Sequence, residues 1–532
     1  MTLEDAAAPP VRAHATVREA TFDVLRRLEL TTIFSNPGST EVPFLAGLPD
    51  DLRFVLALHE GAVVGMAAGY ALGNARPALV LLHSTPGLGN AVAALATARA
   101  SRAPLVVVVG QQDRRHLALD PFLAGRLEGL AGDYPVWVNT PIRPQDVPGT
   151  ILRAYHEAAT HRGPAVVIVP MDDWLQPAGE TTFGAQRVVR SQGADPRAVD
   201  ELATMLDQAE APVIVAGAGA DWESLTNLAE TLGCPVWQEP FGGFAGFPQD
   251  HPQFAGHLPF RRARLRSALN GHDVVLVVGT GALRQYPYDS GPLFADGTRV
   301  AVLTQDPDEA HRSVAELAVL GDPGSICDAL SRVLEPRELT ASPMQRPAPP
   351  GADEGLRPAH VLQALAERLP RNAILVEETP SSRPELHSRI PATAPLGFVS
   401  AMGLLGFGLP AAIGLRMARP DRPVVAVLGD GASLYQILGL WSASHYDVGV
   451  LFVVLVNGGY AIMDRLAERN GGPGPWPEVD VDIAAMARAQ GCDAVSVDSR
   501  AELIEQLDRG IADRDKPLVL AVRVAQDPTF DP

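Results

Sequence analysis

The sequence alternates short runs of β-branched and aliphatic residues with longer amphipathic stretches from about residue 15 onward. Runs such as Leu105 to Val109 and Val274 to Val278 are apolar throughout, which is typical of strands buried on both faces of a sheet. Stretches between them, such as Val17 to Leu28, have the pattern of helices that cover a parallel sheet. The alternation therefore predicts an α/β protein built from three tandem doubly wound parallel-sheet modules.

Two stretches without periodicity separate these modules. One is polar, from Gln176 to Pro196, and the other is rich in proline, from Leu339 to Gly355. We expect an N-terminal module at 12–176, a Rossmann-like middle module at 195–336 and a C-terminal module at 356–528. Strands are expected at Thr32 to Ser35, Phe54 to Leu58, Ala78 to His83, Leu105 to Val109, Ala165 to Val169, Val213 to Ala216, Val274 to Val278, Val300 to Leu303, Ile374 to Glu377, Val424 to Leu428, Val450 to Val456 and Leu518 to Val522.

Charge and cysteine usage exclude several classes of function. The 532 residues include 62 acidic and 43 basic side chains, a net charge of −19 that disfavours nucleic acid and anionic membranes as partners. The three cysteines are far apart and indicate neither a zinc site nor a disulfide framework. The N-terminus lacks the pattern of a signal peptide, and the longest apolar run, Val448 to Val456, is too short to span a membrane. We expect a cytoplasmic protein.

Two glycine-rich turns in the middle module follow strands, as in a dinucleotide-binding fingerprint. They are Gly217 to Gly219 and Gly279 to Gly281, but Trp222 and Arg284 stand where the fingerprint has its third glycine. These turns are predicted to be tight connections in a domain without a nucleotide, although the sequence leaves nucleotide binding open.

Two strands of the third module run into polar turns. Val424 to Leu428 precedes Gly429-Asp430-Gly431-Ala432-Ser433, and Val450 to Val456 precedes Asn457-Gly458-Gly459-Tyr460. Because the carboxyl ends of parallel strands share one edge of a sheet, Asp430 and Asn457 are expected to meet there. With the Gly459 carbonyl they would form an oxygen-only set for Mg²⁺ or Ca²⁺, and a helix starting near Ser433 would direct N–H groups at phosphate. The alternative is a pair of ordinary turns.

This motif resembles the signature of thiamine-diphosphate enzymes: Gly429-Asp430-Gly431, 25 further residues, and Asn457. Members commonly end it with two asparagines, and Val456 replaces the first, whereas Asn457 matches the metal ligand. The resemblance implies that Asp430, Asn457 and the Gly459 carbonyl hold Mg²⁺, with Ca²⁺ as a possible substitute, and the cofactor diphosphate. It assigns further cofactor contacts to Gly429, Gly431, Ala432, Ser433 and Tyr460.

The resemblance covers nearly the whole chain and is greatest to the 2-oxo acid decarboxylases of benzoylformate decarboxylase type. The matching segments are Asn36 to Ser39, Pro43 to Leu45, Leu82 to Ser84, Gly110 to Gln112, Tyr288-Asp289, Gly406 to Gly414 and Leu440-Trp441. It implies three domains: an N-terminal pyrimidine-binding domain, a middle domain and a C-terminal diphosphate-binding domain. It also implies a homodimer or homotetramer whose active sites lie between subunits.

The resemblance assigns roles around the cofactor. Glu60 matches the glutamate that exchanges a proton with the pyrimidine ring, although by position alone it is also a first-turn helix carboxylate. Leu405 matches the apolar residue that supports the bent cofactor, and the Gly403 carbonyl would accept a hydrogen bond from its amino group.

Substrate contacts are assigned in the same way. Ser39 would bind the substrate carboxylate, but its spacing also suits a helix N-cap before Glu41. His83 would transfer protons, but a lone histidine is more often a core residue. On the segment after Tyr460, Met463 and Leu466 are expected to line an apolar pocket.

Tyr286 stands where the benzoylformate decarboxylases have a second catalytic histidine. A phenol donates hydrogen bonds but does not titrate near neutral pH, so protonation of the intermediate would be slower and carboligation would compete. The sequence therefore predicts a lyase that decarboxylates a 2-oxo acid, most simply an aryl one. Two alternatives stay open: a carboligase of acetolactate synthase type, and a cofactor-binding subunit without turnover.

Overall fold

The structure, a computed structural model, describes residues 14–179, 188, 193–351, 355–402 and 404–526. Within them the strands form three six-stranded sheets, and every strand pairing is parallel. The predicted fold class is therefore confirmed. None of the described helices is long and apolar enough to cross a bilayer.

The first sheet has the strand order β2-β1-β3-β4-β6-β5. Its region contains, in chain order, α1 (Val17–Arg27), β1 (Thr32–Asn36), α2 (Val42–Leu45), β2 (Arg53–Leu56), α3 (Glu60–Asn74), β3 (Ala78–Leu82), α4 (Thr85–Ala100), β4 (Leu105–Gln111), β5 (Trp137–Asn139), α5 (Val147–His161) and β6 (Pro164–Pro170), with 3-10 helices at Arg114–Leu119, Pro144–Asp146 and Asp173–Leu175.

The second sheet has the order β12-β11-β10-β7-β8-β9. Its region contains α6 (Pro196–Asp207), β7 (Pro212–Ala216), α7 (Trp222–Leu232), β8 (Val236–Gln238), β9 (Phe254–His257), α8 (Arg262–Ala268), β10 (Val274–Val278), β11 (Arg299–Thr304), α9 (Pro307–Arg312), β12 (Leu317–Leu320) and α10 (Pro323–Val333).

The third sheet has the order β14-β13-β15-β16-β18-β17. Its region contains α11 (Pro358–Ala366), β13 (Ile374–Glu378), α12 (Arg383–Arg389), β14 (Phe398–Ser400), α13 (Gly408–Ala418), β15 (Val424–Gly429), α14 (Asp430–Leu434), α15 (Gly439–His445), β16 (Leu451–Val456), α16 (Ala461–Arg469), α17 (Ile483–Ala489), β17 (Asp493–Val497), α18 (Arg500–Ala512) and β18 (Leu518–Arg523).

Local sequence explains where these elements begin. The central strands are buried along their whole length, as in β4 and β10. Several helices start at an aspartate or serine whose side chain accepts a backbone N–H of the first turn, as Asp221, Asp322 and Ser499 do.

Six strands were not predicted: β5, β8, β9, β12, β14 and β17. They are three to five residues long, and all except β8 lie at the edge of a sheet. Most of these strands are partly exposed, and β14, which is buried, is only three residues long, so none has the long continuous apolar run that marks a central strand. β17, for example, has only one fully buried residue, Val497.

The described residues divide into two compact units. The first contains the chain up to Val188 together with Leu409–Arg419 and Gln436–Tyr446, which carry α13 and α15. The second contains the middle sheet and the rest of the C-terminal region. The predicted module boundaries stay predictions, and the predicted linker at 176–196 lies partly outside the described residues.

Candidate active site

The turns after β15 and β16 lie side by side in the second unit. Register pairs Gly429 with Leu455, so Asp430 and Asn457 follow neighbouring strand ends. The buried Asp430 carboxylate accepts the backbone N–H of Asn457 at 3.0 Å and of Gly458 at 2.8 Å through Oδ2. Its Oδ1 accepts from the Gly431 N–H at 2.7 Å. The structure thus brings together the two side chains that the strand-end rule placed at one edge.

The oxygen atoms at this edge fit a hard divalent cation. A carboxylate has about four acceptor sites, and Asp430 uses three of them on backbone N–H groups. The Asn457 Oδ1 accepts only the Gly459 N–H, at 3.1 Å, among the bonds of the described residues. No group of three or more His, Cys, Asp or Glu side chains suited to a metal occurs in the described ranges. A cation here would therefore rely on amide and carbonyl oxygens and on its ligand.

The turn around Asp430 differs in detail from the prediction. Helix α14 begins at Asp430 itself and is five residues long, so it does not start near Ser433. Ser433 is buried, and its hydroxyl donates to the Asp430 carbonyl at 2.7 Å; Ala432 is also buried. A Cβ at Gly431 would come within 2.8 Å of the Tyr460 ring, which explains why this position has no side chain.

Apolar side chains assigned to the cofactor and substrate are open to solvent. Leu405, Tyr460 and Met463 are 37–43% exposed, and Leu466 is half-buried. Gly403 lies outside the described residues.

Glu60 lies in the first unit as the first residue of α3, and its side chain is buried. Its Oε1 accepts from the Asn36 amide at 3.1 Å, and its Oε2 accepts from the Asn90 amide at 3.0 Å. The first-turn position suits the helix dipole, as the alternative interpretation holds. The two amides in addition hold both carboxylate oxygens in place, which a helix-stabilising role does not require.

His83 follows β3 and is not an isolated core histidine. Its Nδ1 lies 3.0 Å from Oε2 of the buried Glu41 and 2.9 Å from the Thr40 hydroxyl. Glu41 is held by the Gly38 N–H at 2.7 Å and by the Thr40 hydroxyl. A Cβ at Gly38 would come within 2.5 Å of the His83 ring, so glycine is needed there.

Ser39 is exposed beside this group. The N-cap of α2 is Glu41, and the helix begins at Val42, so the interpretation of Ser39 as an N-cap is wrong. Its side chain is open to solvent.

Comparison with known proteins decides the family. Models of the thiamine pyrophosphate enzymes match the chain in three parts: the N-terminal TPP-binding domain at residues 15–129, the central domain at 199–330 and the C-terminal TPP-binding domain at 384–522. A benzoylformate decarboxylase from Pseudomonas aeruginosa is 38% identical over 95% of this chain and 98% of its own. This chain belongs to the thiamine pyrophosphate enzymes.

Two further relatives place it within that family. The solved structure of the thiamine-diphosphate-dependent 4-hydroxybenzoylformate decarboxylase from Rhodococcus jostii RHA1 superposes with a TM-score of 0.93, is 35% identical and covers 97% of this chain and all of that one. An acetolactate synthase large subunit from Parasynechococcus marenigrum is 29% identical over 93% of this chain and 84% of its own. Sequence identity to the decarboxylases is therefore the higher of the two.

Tyr286 stands at the position where the resemblance predicts a second catalytic histidine. It lies in the second compact unit of the chain. Its side chain is 53% exposed, and its backbone N–H donates to the Phe260 carbonyl at 3.0 Å. The phenol is thus accessible to solvent.

The glycine turns of the middle domain pack against each other. A Cβ at Gly217 would collide with Thr280, and the Gly219 N–H donates to the Gly279 carbonyl at 2.8 Å. The buried Glu239 accepts the Ala218 N–H at 3.1 Å and the Thr280 hydroxyl at 2.7 Å. A buried carboxylate thus accepts one donor from each of the two turns, and burial raises its pKa.

Four residues with contacts at these sites were not singled out from the sequence: Asn90, Glu41, Glu378 and Ser381. The Ser381 hydroxyl, shortly after β13, accepts the Ile462 N–H at 3.2 Å, next to the start of α16. Glu378 ends β13, which pairs with β15. The strand-end rule that found Asp430 would have found Glu378, whereas Asn90 carries no comparable signal.

Proposed function

We propose that this chain is a carboxy-lyase that uses thiamine diphosphate and a divalent cation to convert a 2-oxo acid of aryl type into an aldehyde and CO₂. The observation that carries the proposal is the Glu60 carboxylate held by Asn36 and Asn90 in a family member related to benzoylformate decarboxylase over 95% of its length. A carboxylate fixed by two neutral amides is suited to exchange a proton with one ligand atom.

The cofactor-binding residues are part of the same proposal. Asp430, Asn457 and the Gly459 carbonyl hold Mg²⁺, or Ca²⁺, together with the diphosphate, and Leu405 with the Gly403 carbonyl contacts the ring system. Thiamine diphosphate supplies a nucleophilic carbon and accepts the electron pair that CO₂ leaves behind. Glu60 exchanges a proton with the pyrimidine ring, while Asn36 and Asn90 fix the direction of its carboxylate.

Ser39 and His83 act on the substrate. The exposed Ser39 hydroxyl binds the substrate carboxylate, and Met463 and Leu466 contact the aryl group. His83 returns a proton to the carbon that has lost CO₂, which gives the aldehyde. Glu41 holds the His83 ring by its Nδ1, so the other ring nitrogen is directed away from Glu41.

Tyr286 favours carboligation as a second candidate function. Without a second histidine, a carbon nucleophile left after CO₂ loss survives longer and can attack an aldehyde or another 2-oxo acid. The intact set of Glu60, Asp430 and Asn457 supports turnover, so a subunit without activity is the weaker alternative.

Product analysis separates these possibilities. The chain is incubated with thiamine diphosphate, Mg²⁺ and a panel of aryl, branched and short 2-oxo acids, and CO₂ and organic products are measured. Free aryl aldehyde supports the lyase, and an acyloin or acetohydroxy acid supports the carboligase. If no acid releases CO₂, both proposals are wrong.

We also propose a homodimer or homotetramer in the cytoplasm, with each active site shared between the first module of one copy and the third module of another. The first unit exposes Leu119, Phe122 and Ile142 at 82–88%, and a second copy would bury such groups. Light scattering after size exclusion tests this, and a monomer at working concentration would contradict it.

A further inference from the structure

Two adjacent buried glutamates end β13 and hold the two ends of the segment that carries Leu405. Glu377 binds the first end, because its Oε2 accepts the Ser400 hydroxyl at 2.8 Å and Ser400 in turn accepts the Met402 N–H at 3.0 Å. Arg383 pairs with Glu377 at 2.9 Å, so this carboxylate has a cation beside it.

Glu378 binds the second end through backbone groups. Its Oε1 accepts the Gly406 N–H at 2.7 Å, and its Oε2 accepts the N–H groups of Phe407, at 2.9 Å, and Gly408. Gly408 is the first residue of α13, so the turn that Glu378 holds leads directly into that helix. Gly406 has φ of 84°, a conformation that favours glycine and makes the turn sharp.

The charge environment of the two glutamates differs. Arg383 pairs with Glu377. Glu378 has the carboxylate of Glu377 beside it, and that negative charge raises the pKa of Glu378. Burial is the larger cause, the three N–H groups oppose it, and the pKa of Glu378 is raised to about 7. Leu404 and Leu405 lie between the two anchors, and both side chains are exposed.

We propose that Glu378 is a positioning residue of the decarboxylation, whose ionised carboxylate fixes the 404–408 turn and thereby presents Leu405 to the cofactor. The inference rests on the proposed role of Leu405. Exposed leucines on an unanchored turn would turn inward to bury their apolar surface, and three hydrogen bonds to one carboxylate oppose this. A protonated carboxyl accepts fewer hydrogen bonds, so the anchor weakens below pH 7.

The experiment compares Glu378→Gln and Glu378→Asp with wild type in the full chain. Asp273→Asn is the matched control, because Asp273 also accepts two backbone N–H groups, those of Glu210 and Ala211, but lies in the middle module. Amide hydrogen exchange of residues 401–410 is measured without cofactor, from pH 6 to 8 and corrected for intrinsic rates. The kcat of CO₂ release and the dissociation constant of thiamine diphosphate are measured over the same range.

As pH falls through 7, the wild-type enzyme should lose protection from hydrogen exchange at residues 406–408, and its kcat should fall. Glu378→Gln should lack this protection at every pH. Its kcat should be lower by about 10- to 100-fold and should not fall further as pH drops through 7. Asp273→Asn should behave as wild type. If Glu378→Gln does not fold, the pH dependence of wild type and Glu378→Asp decides.

The inference is overturned if Glu378→Gln keeps both the wild-type kcat and the wild-type protection from hydrogen exchange. It is also overturned if the kcat of the wild-type enzyme does not fall as pH drops through 7. If the exchange results are as expected but wild type releases no CO₂ from any 2-oxo acid, the proposed function fails and the anchoring of the turn stands.

Discussion

At the scale of single residues, two carboxylates of the proposed site are held by neutral donors. Glu60 accepts two side-chain amides, and Asp430 accepts three backbone N–H groups. In each case the hydrogen-bond donors found among the residues that the structure describes carry no charge. This leaves the charge of the carboxylate available to a ligand, which is what proton exchange and metal binding need.

Glu60→Gln tests the first of these. Glutamine keeps the shape but cannot exchange the proton, so CO₂ release should fall by about 10²- to 10⁴-fold. The measurement is kcat with saturating cofactor. Glu157→Gln, the same change at a surface ion pair on α5, should keep wild-type activity, and equal activity of the two variants would contradict the role of Glu60.

Glu41→Gln tests the orientation of His83. The variant keeps an oxygen near Nδ1 but removes the charge, and we expect kcat to fall about tenfold. In a His83→Ala background the same change should cost almost nothing further, because the pair acts as a unit. Additive losses would show that Glu41 acts independently of His83.

At the scale of elements, glycines set how closely helices pack. In the first unit a Cβ at Gly414 on α13 would lie 1.8 Å from the Met66 carbonyl oxygen of α3, and one at Gly69 would lie 2.1 Å from the Ala411 carbonyl. Backbone atoms cannot move aside as a flexible side chain does. The packing of α3 on α13 therefore requires these glycines.

Gly414→Ala should accordingly lower stability by about 2–4 kcal/mol, since it overpacks a rigid contact. Thermal unfolding measures the change. Gly89→Ala is the control, because nothing lies within 4 Å of a Cβ there and alanine favours a helix. A Gly414→Ala variant as stable as Gly89→Ala would contradict the packing described.

A second pair of elements meets at two half-buried histidines. His257 of β9 and His387 of α12 stack with ring centroids 3.8 Å apart. Burial lowers the pKa of His387 to about 3, and lowers that of His257 well below its ordinary value. The unfolded chain then binds more protons than the folded one between about pH 6.5 and 3, so stability is lost as pH falls through this range.

His387→Gln removes one of these protonation sites. The loss of stability between pH 7.5 and 5 should be smaller than in wild type, by an amount of the order of 1–2 kcal/mol. Thermal unfolding at both pH values gives the comparison. A His387→Gln variant that loses as much stability as wild type between these pH values would contradict this account.

At the scale of the whole molecule, each of the three parallel sheets packs against a buried apolar cluster, and the middle sheet has one on each face. Thiamine diphosphate with Mg²⁺ should bind the folded chain and not the unfolded one, and should therefore raise the melting temperature. At a hundredfold excess of ligand over the dissociation constant, the added stability should be about 3 kcal/mol. EDTA should reverse the rise. In Asp430→Asn the rise should be absent, whereas Asp273→Asn should keep it.

Local sequence patterns were enough to predict the α/β class, every interior strand except β8, and the meeting of Asp430 with Asn457. These follow from local patterns, since a continuous apolar run marks a buried strand and parallel strands share their carboxyl edge. Its resemblance to a family also pointed to Glu60, His83 and Ser39, whose roles stay predictions.

Tertiary packing set the remaining short strands, the partners of each carboxylate and the hydrogen bonds from the turn before α13 to Glu378. Asn90 lies 30 positions from Glu60, and Gly408 lies 30 positions from Glu378. Such pairings depend on how helices and turns pack over a sheet. Hydrogen bonds between residues distant in the chain form only where packing brings donor and acceptor within about 3 Å, and no local pattern encodes that distance.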